Sequence, residues 1–238
     1  MERRLGLVFA HPDDETFAVG GILAAERERG THVALFCATD GDAGKSSGIP
    51  VSSRAELGRI RRRELHDAAR VLGIAEVVTA GHPDGALGAV EADLLVGEIV
   101  RFLRAARPEV VITFGPEGAP TGHRDHRAIS RAATEAWFLA GVATSYPEAG
   151  PPHAPRRLLY VTWDPPRPGA ELQLLGQPAH VRVDTRRYHD VKRAAFHAHA
   201  SQRQHEPRFV ELALTDAELL SLAAGVPFES LPASDFFA

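Results

Sequence analysis

A single cysteine, Cys37, in a chain of 238 residues rules out an internal disulfide, so nothing in the composition asks for an oxidising compartment. No run approaches the roughly 20 consecutive apolar residues of a membrane-spanning helix. The opening stretch MERRLGLVFAHPDDE lacks a secretory cleavage pattern. An integral membrane segment is therefore not expected, and a cytoplasmic location is the default. Basic excess is also missing: the net charge is −4, and a nucleic-acid partner normally needs a basic face. The glycine fingerprint of a dinucleotide site is absent too. Gly20 and Gly21 come too late after the first apolar run to make that turn. Internal repeats and low-complexity tracts are lacking.

What remains is an ordinary globular composition, 44% hydrophobic and 24% charged, in a chain long enough to bury a core without staples. Residues 5–10 form an apolar run of the length of a buried parallel strand, stopped by Pro12. A helix is expected over 18–29, closed by Gly30. A strand at 32–38 follows, then a long Gly/Ser/Asp loop at 39–53. Further helices are expected at 54–72, 90–105 and 125–139, with strands at 76–79 and 109–114. This alternation predicts an α/β fold, a Rossmann-like three-layer sandwich around a mostly parallel sheet. Beyond a Gly/Pro-rich stretch at 141–155, strands are expected at 158–163, 171–175 and 180–183. Helices are expected at 188–201 and 216–224. The simplest organisation is one domain over 1–238, with its C-terminal part from about 141 the least defined.

In such a sheet, ligands gather where strands end at their carboxyl edge. The first strand ends in His11-Pro12-Asp13-Asp14-Glu15, and the fourth leads into His123-Arg124-Asp125-His126. Imidazole and carboxylate are ordinary zinc ligands, and three of them leave a position for water. His11, Asp14 and His126 would make one such set. Asp13 and His123 would then be spare groups beside it, with Asp125 suited to hold an imidazole by hydrogen bond. Each cluster has an alternative: adjacent acids cap many helices, and a lone His-x-x-His is common. Asp40 and Asp42 serve a turn or the same edge equally well. Cys37 reads as a packed core thiol. His32, His66 and His180 read as surface residues. The run Arg59, Arg61, Arg62, Arg63 reads as a solvated helix face.

Together the two motifs resemble those of the PIG-L/LmbE-type N-acetylglucosaminyl deacetylases. The order of weaker matches agrees: Arg61 and Glu64 ahead of Leu72-Gly73, Pro83-Asp84-Gly85, and Lys192 with His199-Ala200-Ser201-Gln202. The resemblance implies a zinc-dependent enzyme that removes the N-acetyl group of an N-acetylglucosamine-containing small molecule or glycoconjugate, such as a bacillithiol or mycothiol precursor. It implies His11, Asp14 and His126 as metal ligands and Asp13 as general base. It also implies His123 as general acid or oxyanion stabiliser, oriented by Asp125, and Arg61, Asp84 and His199 as substrate contacts. Some relatives carry a tyrosine just before the second motif, where this chain has Thr121-Gly122. Fe(II) fits the same ligand set as zinc. The competing functions are another mononuclear metal amidohydrolase, a phosphoesterase on the same scaffold, and a non-enzymatic metal or sugar binder. The last has no use for the spare acid and the spare imidazole. Self-association into a homo-oligomer is compatible with the sequence and not required by it.

Overall fold

The computed structural model describes residues 2–118, 120–163 and 176–238. One seven-stranded sheet has the order β3-β2-β1-β4-β5-β7-β6. Its strands are β1 (Arg4–Phe9), β2 (His32–Thr39), β3 (Glu76–His82), β4 (Val110–Phe114), β5 (Arg157–Thr162), β6 (Val181–Asp184) and β7 (Ala217–Gly225). The pairings from β3 across to β5 are all parallel. β7 runs antiparallel to both β5 and β6. The helices are α1 (Asp14–Glu28), α2 (Arg54–Leu72), α3 (Ala92–Ala106), α4 (Arg124–Leu139), α5 (His189–Ala198) and α6 (Glu206–Leu212). They form two packed groups, α1 with α2 and α5, and α3 with α4. The result is the expected three-layer sandwich.

The middle strands β1, β2 and β4 are buried along almost their whole length, which is why they read as unbroken apolar runs. Leu5 of β1 pairs with Val33 on one side and Val110 on the other. From β1 the chain builds outward through β2 and β3, then returns to lay β4 on the opposite side. The gap between the ends of β1 and β4 is therefore the switch point at which doubly wound sheets open a crevice.

α1 is broken. Val19 leaves helical geometry (φ −141°, ψ 19°), which frees backbone groups on either side. Glu218 of β7 accepts the Gly21 and Ile22 N–H groups at 2.8 and 2.7 Å. Lys192 of α5 donates to the Phe17 carbonyl at 3.1 Å and to Glu218 at 2.5 Å. A buried ion pair thus satisfies both sides of the break, and the first turn of α1 follows its own direction. Gly21 is needed for this approach, since a Cβ there would lie 2.6 Å from Thr185 Cβ.

The expected helix at 216–224 is instead strand β7. Its Glu-Leu-Leu-Ser-Leu-Ala-Ala composition favours a helix, but pairing between β5 and β6 overrides that weak preference. The helix expected over 188–201 ends at Ala198, followed by a 3₁₀ turn at Ala200–His205 and by α6, which had no sequence counterpart. The strand expected at 171–175 lies outside the described residues. Among the described residues, no helix is long and apolar enough to cross a membrane.

Candidate metal centre

His11 leaves the end of β1, Asp14 opens α1, and His126 sits in the first turn of α4. Their side chains form a small triangle. His11 Nδ1 is 3.4 Å from Asp14 Oδ2, His126 Nε2 is 3.2 Å from Asp14 Oδ1, and the two ring nitrogens are 3.3 Å apart. A tetrahedral ion with bonds of ~2.0–2.1 Å requires its ligands to stand about 3.3 Å from one another. The contacts have that spacing, with Asp14 reaching His11 through Oδ2 and His126 through Oδ1. Asp14 Oδ2, the oxygen beside His11, is fixed by the N–H groups of Ala10 and His11 at 3.1 and 2.7 Å, which turns Oδ1 toward His126. His126 stacks on Phe114, the last residue of β4, with centroids 3.9 Å apart.

The charge balance also calls for a cation. Asp13, Asp14, Asp84 and Asp125 crowd around His11 and the Arg61 guanidinium. Against the desolvation of its buried ring, Asp14 and the hydrogen bonds to Asp125 and Asp84 hold His11 well above its ordinary pKa. Burial pushes Asp14 up, but His126 and His11 hold it far below the usual carboxylate range. These residues fit a divalent ion. His11 also belongs to two wider groupings with metal-ligating atoms, one with His123 and His126 and one with Asp84 and Asp125. The second meets His11 through Nε2, at 3.1 and 3.3 Å. That is the pattern of carboxylates steadying a ligand imidazole through its other nitrogen.

This corrects two expectations. The Asp125 carboxylate does not orient His123. It faces His11 and accepts the N–H groups of Gly85 and Leu87 at 2.7 and 3.1 Å. Asp84, expected at the substrate, bonds His11 and the Ala43 N–H, while its own N–H is held by Asp42. The sequence could not show either pairing, because both depend on where β3 and β4 end relative to β1.

His123 caps α4 and is exposed, its Nδ1 accepting the Asp125 N–H at 3.2 Å. In the neutral ring the proton therefore stands on Nε2. Burial, then His11 and His126, push His123 below its ordinary pKa, which disfavours the imidazolium form. Asp13 adopts φ 112°, a conformation rare outside glycine. Its Oδ2 accepts from Arg61 at 2.9 Å. Burial raises the Asp13 carboxyl to about 6, although Arg61 pulls it down. Arg61 is itself 4% exposed; Nη1 and Nη2 also donate to the Gly41 and Pro12 carbonyls, while Nε is buried without a hydrogen-bond partner. It is thus an internal partner of Asp13 and not a solvated arginine like Arg59 or Arg63. His199 is fully buried and bonds Glu15 at 2.8 Å, so it offers no surface to a substrate. Glu15, buried and central to the site's underside, was missed; in sequence it reads as a first-turn helix acid.

A family model described as PIG-L, GlcNAc-PI de-N-acetylase, matches residues 7–137, the segment that supplies the triangle and its neighbours. The chain belongs to the PIG-L family. It is 31% identical over 255 residues to a 1D-myo-inositol 2-acetamido-2-deoxy-alpha-D-glucopyranoside deacetylase of Rhodococcus jostii, covering 90% of this chain and 87% of that protein. It is 35% identical over 137 residues to a probable N-acetyl-alpha-D-glucosaminyl L-malate deacetylase 2 of Bacillus cereus, covering 57% of this chain and 61% of that protein. Among solved structures it resembles GalB, the 4-carboxy-2-hydroxymuconate hydratase of Pseudomonas putida, at a TM-score of 0.77. That match has 21% identity and covers 96% of this chain and 99% of that one. At that identity the likeness shows the fold alone, and it shows that this fold carries more than one chemistry.

Proposed function

We propose that this PIG-L protein is a zinc-dependent N-deacetylase of an N-acetylglucosamine conjugate, with His11, Asp14 and His126 as the ligands. The mutual approach of the three side chains to 3.2–3.4 Å carries the reading, together with a spare carboxylate and a spare imidazole beside them. Zinc is favoured over Fe(II) because amide hydrolysis needs no redox chemistry. When bound, zinc lowers the pKa of water to about 7 and polarises an amide carbonyl.

The remaining steps belong to the chain. Asp13 receives the proton of the attacking water at its carboxylate, with Arg61 fixing one oxygen. His123 donates through Nε2–H to the oxygen that gains charge as the carbonyl becomes tetrahedral, a contribution of about a hundredfold or more. Because its Nδ1 is occupied by the Asp125 N–H, the ring is set to act as a neutral donor. Asp13 returns the proton it collected to the departing nitrogen, and the second hydrogen of the attacking water passes from the nascent carboxylic acid to the amine, so acetate and the ammonium form of the amino sugar leave with the balance closed. Asp84 and Asp125 keep His11 oriented throughout. Arg61, Asp84 and His199 act in this reading through other groups, and the sugar is recognised elsewhere in the crevice.

The deciding experiment measures amine release by the zinc-loaded protein from N-acetylglucosamine joined to malate, to inositol, to a second sugar and to a lipid. Turnover of at least one conjugate is expected. No release from any of them, with one zinc bound per chain, would overturn the assignment.

A further inference from the structure

Asp13 holds a positive φ that costs a non-glycine residue conformational energy, so the structure around it must enforce that geometry. Arg61 fixes its carboxylate. Its backbone is fixed from another direction. Glu15 Oε2 accepts the Asp13 N–H at 3.0 Å, and Glu15 Oε1 accepts the Thr16 hydroxyl at 2.6 Å and His199 at 2.8 Å. Glu15 and His199 are both fully buried, so neither can touch a substrate. A carboxylate this deep is tolerated only when fully paired, and His199 is its one side-chain cation partner among the described residues.

His199 comes from outside the 7–137 family match. It stands just past the end of α5, with its N–H on the Phe196 carbonyl. The next residue but one, Ser201, gives its N–H and hydroxyl to Glu64 at 2.8 and 2.6 Å. Glu64 lies one helical turn from Arg61 on α2. The same helix thus anchors both the carboxylate side and, through the C-terminal segment, the backbone side of Asp13.

We propose that Glu15 and His199 are a positioning pair for Asp13: His199 fixes the Glu15 carboxylate, and Glu15 holds the Asp13 N–H so that its side chain faces the reacting water. This rests on Asp13 being the general base. It makes the C-terminal part of the chain a component of the catalytic apparatus and not merely a substrate-selecting addition.

The test uses the full chain with Glu15→Ala, His199→Ala and His199→Gln, the last because its amide can still donate to Glu15. For the two alanine variants, kcat should fall about a hundredfold, with KM within roughly threefold of the wild type and metal content unchanged. His199→Gln should recover most of the lost kcat. A crystal structure of Glu15→Ala should show Asp13 released from its positive φ. Wild-type kcat in a folded, metal-loaded His199→Ala overturns the pair, as do equal losses in His199→Ala and His199→Gln that track lower melting temperatures. Asp13 unmoved in Glu15→Ala overturns it whatever the activity. Should Glu15→Ala not fold, a structure of His199→Ala takes its place. Absence of turnover in the wild type itself speaks against the deacetylase reading and leaves the structural comparison to judge the pair.

Discussion

Asp13 and Asp14 are neighbours in sequence with opposite surroundings. Asp14 is held ionised by two imidazoles, whereas burial brings Asp13 up to about 6, where a group can both accept and return a proton. Substitution should separate them. Asp13→Asn, which tolerates positive φ, is expected to bind zinc at wild-type stoichiometry and to lose on the order of 10²–10⁴ in turnover. Asp14→Ala should lose the metal, read by elemental analysis after dialysis. Equal metal content in the two variants would contradict the division. With Asp13 as the proposed general base, the acid limb of kcat/KM should lie at or below about 6, since a nearby cation draws it lower. Arg61 stabilises the ionised form, so Arg61→Met should move that limb to higher pH. A limb unchanged in Arg61→Met would show that the ion pair does not tune the base. The ligand candidates were legible from chemical type and strand-end position. The partners of Asp84, Asp125 and His199 were not, because all three depend on tertiary approach between segments distant in sequence.

At the scale of elements, what was legible follows burial. β1, β2 and β4 are enclosed on both faces and announce themselves as apolar runs, and α2 is bounded by Ser53, whose side chain accepts the Glu56 N–H, and by Gly73 at φ 78°. β7 was misread because its residues favour a helix while its neighbours offer two strand edges. The break in α1 was invisible for a similar reason: it is stabilised by Lys192 and Glu218, more than 170 residues further along the chain in the case of the Lys192–Phe17 contact. Both ends of that ion pair are buried, at 1% and 6% exposure. Removing one member of such a pair leaves an uncompensated charge and costs about 3–5 kcal/mol. For a domain of this size that corresponds to roughly 6–20 °C in melting temperature. Lys192→Met should therefore melt far below the wild type, and a shift under about 2 °C would mean that the break in α1 is held by other contacts.

For the molecule as a whole, the fold supplies the carboxyl edge of a sheet and the residues gathered there supply its use. The hydratase GalB shares the sheet and the helices, so architecture alone does not choose the reaction. The choice lies in the groups gathered between the ends of β1 and β4. If that gathering is a metal site, binding must appear in the stability of the entire chain, because the unfolded protein cannot assemble His11, Asp14 and His126. At zinc a hundredfold above its dissociation constant the native state gains about 2.7 kcal/mol, or roughly 5–11 °C in melting temperature. Asp14→Ala should abolish the gain and Asp13→Asn should keep it. The stoichiometry matters as much as the shift. A phosphoesterase built on two metals would take up about two ions per chain and use bridging carboxylates, whereas His11, Asp14 and His126 would hold one ion, with Asp84 and Asp125 on the far side of His11. Saturation at one zinc per chain is expected. Saturation at two, with both ions contributing to the melting shift, would move the protein out of the deacetylase reading and towards dinuclear chemistry.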